Sequence, residues 1–371
     1  MIVLLYTFLA DTFIRNPIGK TKACKKIMET INRREFLKAL SLSLGAMALN
    51  QTLSGCATSI PPTNQPPLAT ELAAPATKTG SGQPAPTAST DKSTLVQTPL
   101  DSPDLVVARN GEPEELVRRA ISALGGMQRF ISQGAKVVIK PNICVAYHTF
   151  EYAATTNPWV VGALVKLCLE AGAKQVQVFD FPFGGTIEEA YSKSGIADQV
   201  KLAGGEMVGM PRFKFVTTEI PAGLNLKKVD IFDDVLKADV LINVPIAKHH
   251  SLARLTMGMK NLMGVIYDHP PMHFYMDQRL ADLASRVKPA LTVIDAVRIL
   301  VDNGPTGGNL ADVKQLDTVI ASPDLVAADS YGTTLFDMRP DDLGYIKAAA
   351  AMGLGNSDLN AIRIEEINVG A

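Results

Sequence analysis

The chain has 371 residues, with 36 lysines and arginines against 37 aspartates and glutamates, a formal net charge of −1. That balance, with no basic block in the body, excludes the strongly positive face that a nucleic-acid partner requires. Of four cysteines only Cys144 and Cys168 fall where a domain can fold, so no self-contained iron–sulfur cluster is expected.

Residues 1–27 end just before Met28, which suits a start site, so they are expected to be a misassigned upstream extension. Lysines 20, 22, 25 and 26 precede Asn32-Arg33-Arg34-Glu35-Phe36-Leu37-Lys38, and residues 39–55 then carry no charge. The stretch closes on Leu53-Ser54-Gly55-Cys56. Residues 28–56 resemble a twin-arginine export signal that ends in a bacterial lipoprotein box. Such a signal is an address read by the twin-arginine export machinery rather than an anchor. Its apolar run is shorter and more polar than the about 20 residues of a membrane span. An uncleaved signal anchor is the alternative. The first reading implies export in the folded state and a lipid on Cys56 that tethers the protein to the membrane. The location would be the outer face of the cytoplasmic membrane or the cell envelope.

Residues 57–100 are rich in Pro, Thr, Ala and Ser and poor in large apolar side chains. They cannot bury enough surface to offset chain entropy and are expected to form a disordered linker. Residues 101–371 are long enough for one large α/β domain or two intimate ones.

Within that body, apolar runs alternate with helical spacing. Strands are expected at 105–108, 136–140, 175–180, 213–217, 239–244, 290–295, 318–321 and 361–364. Helices are expected at 112–124, 157–170, 186–194, 196–203, 233–237, 277–287, 323–336 and 341–351, with Pro113 and Pro158 in first turns. Apolar strands separated by helices favour a mainly parallel sheet covered on both faces. The expected fold class is three-layer α/β, with helices on both faces of the sheet.

In open α/β sheets, ligands bind outside the carboxyl ends of the strands. Lys140, with Asn142 two residues on, stands at one such end, Asp180 at the next, and Asp295 at a third. Val244-Pro245-Ile246-Ala247-Lys248-His249-His250 follows the strand at 239–244. Adjacent histidines cannot both face one site from a strand or helix, so at most one serves it. Lys260 and Asn261 lie between Gly258 and Gly264, which permits close backbone approach to an anion or cofactor. Met257, Met259, Leu262 and Met263 read as core packing. His269 and His273 flank Pro270-Pro271 in an expected lid, and they suit that loop better than a metal. The loop Asn303-Gly304-Pro305-Thr306-Gly307-Gly308-Asn309 is either a plain turn or a backbone cradle for a phosphate, with Gly304 and Gly307 at its centre. Cys144 and Cys168 are either buried fillers or a disulfide.

The order of these pieces resembles the domain of unknown function 362 family. The matching residues are Lys140-Pro141-Asn142, Thr156-Asn157-Pro158, Asp180, Val244-Pro245 with Lys248 and His250, and Lys260-Asn261-Leu262-Met263-Gly264. Asp295, Asn303-Gly304-Pro305 with Gly307, and Ser322-Pro323-Asp324 with Ala327-Ala328-Asp329 continue the pattern. The resemblance implies a known domain without a settled reaction. Cluster-bearing relatives have a Cys-rich segment that this chain lacks. Residues 248–264 are also distantly similar to nickel-pincer lactate racemases, where a His and a Gly-flanked Lys follow a strand.

Two readings follow. In the first, the domain is an enzyme acting on a small anionic substrate, with a metal or organic cofactor of unknown identity. His250, Lys248, Lys260 and Asp180 would be catalytic. Lys140, Asn142, Asn261, Asp295, Gly304 and Gly307 would bind a cofactor. The three lysines would hold the anion, and His250 would move a proton or ligate a metal. Asp180 or Asp295 would orient it or bind a cation. In the second, the domain is a ligand-binding or accessory lipoprotein without turnover.

Overall fold

Short β-rich runs and capped helices alternate along the chain from the first described residue. The protein is described by a computed structural model over residues 102–370. The expectations for 1–27, 28–56 and 57–100, Cys56 included, lie outside the described residues.

In chain order the strands are β1 (Leu105–Arg109), β2 (Lys136–Pro141), β3 (Gln175–Val178), β4 (Glu206–Met207), β5 (Phe215–Glu219) and β6 (Lys228–Phe232). They continue with β7 (Val240–Val244), β8 (Ile246–His250), β9 (Arg254–Thr256), β10 (Leu291–Leu300), β11 (Val313–Ser322) and β12 (Ile364–Asn368). The main sheet runs β12-β1-β11-β10-β7-β2-β3-β4, with β8 pairing β10 and β9 beside it. Its pairs are mostly parallel. The exceptions are β11, antiparallel to both β1 and β10, and the β8–β9 pair. β7 is buried at all of its positions, as expected for a strand covered on both faces.

The helices are α1 (Pro113–Ala123), α2 (Pro158–Glu170), α3 (Ile187–Lys193), α4 (Ile196–Leu202), α5 (Asp233–Lys237), α6 (Gly258–Asn261), α7 (Met276–Arg286), α8 (Leu325–Thr333) and α9 (Gly344–Ala351). α1, α2 and α4 pack together on one layer, and α6, α7, α8 and α9 pack together on the other. The three-layer α/β expectation holds. Among the described residues no helix is long and apolar enough to cross a membrane.

Several starts follow from side-chain chemistry. The Asn157 side chain accepts a hydrogen bond from the Trp159 N–H at 3.0 Å, and Pro158 needs no donor partner at the first position of α2. Asp324 caps α8 by accepting from the N–H groups of Val326 and Ala327.

The structure corrects four strand expectations. β10 runs on past Asp295 to Leu300, because Arg298 to Leu300 keep pairing with β11 beyond a bulge at Ala296/Arg298. Asp295 therefore lies inside a strand, not at its end. β11 is correspondingly longer than 318–321. Residues 246–250, for which no strand was expected, form a strand of their own, β8, that carries Lys248 and His250. The run at 213–217 is one arm of an antiparallel ribbon, β5 with β6, whose second arm lacks the apolar density that marks core strands.

Candidate functional site

β2, β3 and β7 lie side by side and parallel, and a cavity of about 820 Å³ opens beyond their carboxyl ends. Lys140 comes from the end of β2, Asn142 from the residues after it, and Asp180 from the loop after β3. Lys248 and His250 come from β8, and Lys260 and Asn261 from α6. All of these line the cavity.

α6 is held where it begins by Asp329, whose carboxylate oxygens accept from the N–H groups of Gly258 at 2.6 Å and Met259 at 2.9 Å. Burial pushes the Asp329 carboxyl up to about 7, against the pull of those two N–H groups. At the other end of α6, Asn261 is a saturated hub. Its Oδ1 accepts from Lys140 Nζ at 2.7 Å and Asn142 Nδ2 at 3.0 Å, and its Nδ2 donates to Lys140 O and Asn243 Oδ1. Its work is to fix the cavity floor.

The three lysines have different duties. Lys140 Nζ lies 2.7 Å from Asp180 Oδ1, with both side chains out of solvent. Burial draws the Lys140 ammonium below its usual range while Asp180 resists that shift. Asp180 also accepts from the N–H groups of Ile143 and Phe181. Lys248 Nζ donates to Ala154 O at 2.6 Å, Pro305 O at 2.8 Å and Asn142 Oδ1 at 3.0 Å, and Cys144 Sγ lies 3.2 Å away. Three N–H bonds are thereby used, so Lys248 contributes its charge but no free donor. Lys260 is different. Its ammonium meets Met263 Sδ at 3.0 Å, and no carboxylate pairs with it among the described residues. Burial, followed by the charges of Lys248 and Lys140, lowers it to about 8.

His249 and His250 point to different partners, as alternation along β8 requires. His249 Nδ1 accepts from Gly304 N at 3.1 Å, away from the cavity lining. His250 Nδ1 accepts from the N–H groups of Leu252 at 3.1 Å and Ala253 at 3.2 Å. A neutral imidazole with Nδ1 as acceptor carries its hydrogen on Nε2. Burial, together with the Lys260 and Lys248 charges, lowers His250 to about 3, so the ring is neutral at physiological pH. The side chain then offers a neutral N–H donor to the cavity. Metal ligation or proton acceptance at Nε2 needs a lone pair that this arrangement does not provide.

Gly264 explains one of the two glycines around Lys260. A Cβ there would fall 1.8 Å from Asp180 Oδ1 and 2.5 Å from Lys140 Nζ. The close approach is to the protein's own ion pair rather than to a bound anion.

Asp295, Gly304 and Gly307 are not brought to the cavity lining. The Asp295 carboxylate accepts from the N–H groups of Asn157 at 2.6 Å and Val297 at 3.0 Å, which ties β10 to the start of α2. Gly304 packs on the His249 carbonyl, where a Cβ would lie at 1.8 Å, and Gly307 has φ +61° beside Leu300. The loop reaches the cavity through Pro305, whose carbonyl accepts from Lys248.

Sequence reasoning missed several members of the wall. Cys144 lines the cavity, and its thiol also donates to Ala154 O at 3.3 Å. Cys144 and Cys168 are both buried and free. Phe181, Phe183, Leu252, Tyr267 and Phe274 supply an apolar wall, and His269 and His273 line the same cavity. Burial lowers both of these histidines below their ordinary range. Phe-x-Phe after Asp180 is the signal that could have marked the first two aromatics. Among the described residues no group of three or more His, Cys, Asp or Glu is placed to hold a metal ion.

A family model described as Domain of unknown function (DUF362) matches residues 137–334. The thylakoid-associated protein sll1697 of Synechocystis is 27% identical over 253 residues, 64% of this chain and 74% of that protein. The lactate racemase apoprotein of Thermoanaerobacterium thermosaccharolyticum aligns at TM-score 0.35 and 14% identity, over 57% of this chain and 53% of its own. A Thermotoga maritima protein aligns at 0.35 and 13%, over 61% and 60%. The chain thus spans less than two thirds of either solved structure.

Proposed function

The chain belongs to the DUF362 family, and we propose that it is an exported, lipid-tethered protein whose strand-end cavity binds a small anion. The observation that carries the site reading is the Lys260 ammonium, buried, facing the cavity and without a carboxylate partner among the described residues. Lys248 adds a second positive charge whose hydrogen bonds go to uncharged acceptors. A buried charge without a counterion is unfavourable, and a bound anion supplies one. The His250 Nε2–H completes a donor set suited to a carboxylate or phosphate.

Lys260 is also the residue best suited to chemistry. An amine drawn down to about 8 can give or take a proton near neutral pH. In the catalytic reading Lys260 is the acid–base group, His250 steadies developing negative charge, and Lys248 with the Lys140–Asp180 pair sets the field. The non-catalytic reading, a ligand-binding or accessory lipoprotein, is favoured by the locked state of His250. The arginine pair and Cys56 support export by the twin-arginine machinery, with a lipid on Cys56 at the outer face of the cytoplasmic membrane or in the envelope. The thylakoid association in the name of the Synechocystis relative is in keeping with a place beside a membrane.

The test is anion binding by the full chain purified after native export. Phosphate, sulfate and acetate are titrated calorimetrically into the parent and Lys260→Met. At least one anion should bind the parent and lose tenfold or more in the variant. Equal binding by both proteins refutes the site reading. Elemental and optical analysis of the same preparation separates the two classes, since a stoichiometric metal or chromophore favours the enzyme.

A further inference from the structure

The cavity that holds Lys260 has a second character at its mouth. Leu252 is 64% exposed, Phe183 56% and Phe274 69%, and all three line the same cavity as Lys260 and His250. Exposed apolar side chains are ordinary singly, but these three line one cavity whose floor is charged. Tyr267 continues that wall and is held in place, with its N–H donating to Asp230 O at 3.1 Å and the Arg212 guanidinium 4.1 Å above its ring. The polarity is therefore ordered along the cavity, with donors and positive charge inside and aliphatic and aromatic surface outside.

Resting on the anion-site reading above, we propose that the ligand is an amphipathic anion: a carboxylate or phosphate head on Lys260 and His250, with an apolar tail along Phe183, Leu252 and Phe274. An inorganic anion would leave that wall facing water. A neutral apolar molecule would leave Lys260 without a counterion. Only a molecule with both parts satisfies both ends, and a cavity of about 820 Å³ has room for a chain or ring system behind the head.

The probe is a series of straight-chain carboxylates, acetate, butanoate, hexanoate and octanoate, titrated into the full chain by calorimetry, with octanol as the uncharged control. Affinity should rise about two- to fourfold per methylene, as burial of each CH₂ at a partly open wall predicts. Phe274→Ser and Leu252→Ser change exposed side chains and should fold. Each should lower the ratio of octanoate to acetate affinity at least fivefold, and Lys260→Met should weaken the whole series. Octanoate binding no tighter than acetate, with both lost in Lys260→Met, overturns the amphipathic ligand and leaves the anion site standing. Octanol binding as tightly as octanoate overturns it as well. If no carboxylate of the series binds, the amphipathic ligand fails, and if phosphate and sulfate also fail to bind, the anion reading fails with it.

Discussion

Lys140 and Asp180 meet at 2.7 Å with neither side chain open to solvent, and they join the end of β2 to the loop after β3. Removing one partner of such a pair strands a buried charge, which destabilises by about 3–5 kcal/mol. Lys140→Met and Asp180→Asn should each fall in that range by urea unfolding. The Lys140→Met/Asp180→Asn double variant should lose well under the sum of the two, since it leaves no unpaired charge. Strict additivity would mean that the contact carries no coupling.

Gly264 sits over that pair, and its Cβ would overlap Asp180 Oδ1. Gly264→Ala must therefore push the carboxylate off Lys140 or shift the backbone after α6. A loss of at least about 1–3 kcal/mol is expected from overpacking alone. Gly209, where nothing lies within 4 Å of a built Cβ, is the control, and Gly209→Ala should lie within about 0.5 kcal/mol of the parent.

The two cysteines of the body differ in surroundings. Cys168 lies fully buried on α2, and burial drives its thiol far above the ordinary range. Cys144 lines the cavity 3.2 Å from the Lys248 ammonium, where a small anionic reagent entering the cavity can reach it. Iodoacetate on the native protein should label Cys144 and spare Cys168, as peptide mapping by mass spectrometry would read. A saturating cavity anion should slow the labelling. Equal labelling of both, or of Cys168 first, would contradict the cavity geometry.

The three-layer fold was legible because β2, β7 and the first half of β10 are mainly apolar runs between helical segments, and such signals are local. The polar cluster was legible for the same reason, since Lys140, Asp180 and Lys248 stand next to apolar strands. What the sequence could not show was partnership. Lys140 and Lys260 are the same residue type, yet one meets Asp180 across 40 positions and the other meets a thioether. Asp295 was expected to bind a cofactor, yet its carboxylate is spent on the backbone N–H groups of Asn157 and Val297. The apolar rim is not legible in the sequence because Phe183, Leu252 and Phe274 lie in three loops with no shared period.

The export proposal stands on Arg33, Arg34 and Cys56. Replacing both arginines by lysine should leave the precursor in the cytoplasm when fractions are compared by immunoblot. Cys56→Ala should allow export but release the protein from the membrane fraction. Normal export of the dilysine variant would dismiss the twin-arginine reading without touching the cavity.

Anion binding should have a one-sided pH profile. Lys260 is lowered to about 8, first by burial and then by the like charges of Lys248 and Lys140. His250, held at about 3, does not change charge between pH 5 and 7, so it adds no pH dependence there. Above about pH 8 the ammonium is lost, and affinity should fall by up to tenfold per unit. The stability of the unliganded protein should move the other way. The unfolded chain keeps this proton to about pH 10.4, so between 8 and 10.4 it binds more protons than the fold, and stability rises with pH. That contribution is complete above the unfolded value and is lost as the pH falls through 8. Lys260→Met removes both effects together. Titrating acetate or octanoate from pH 5 to 10, beside urea midpoints over the same range, would measure them. A parent whose affinity stays constant through pH 9 would mean that Lys260 is not the group that holds the anion.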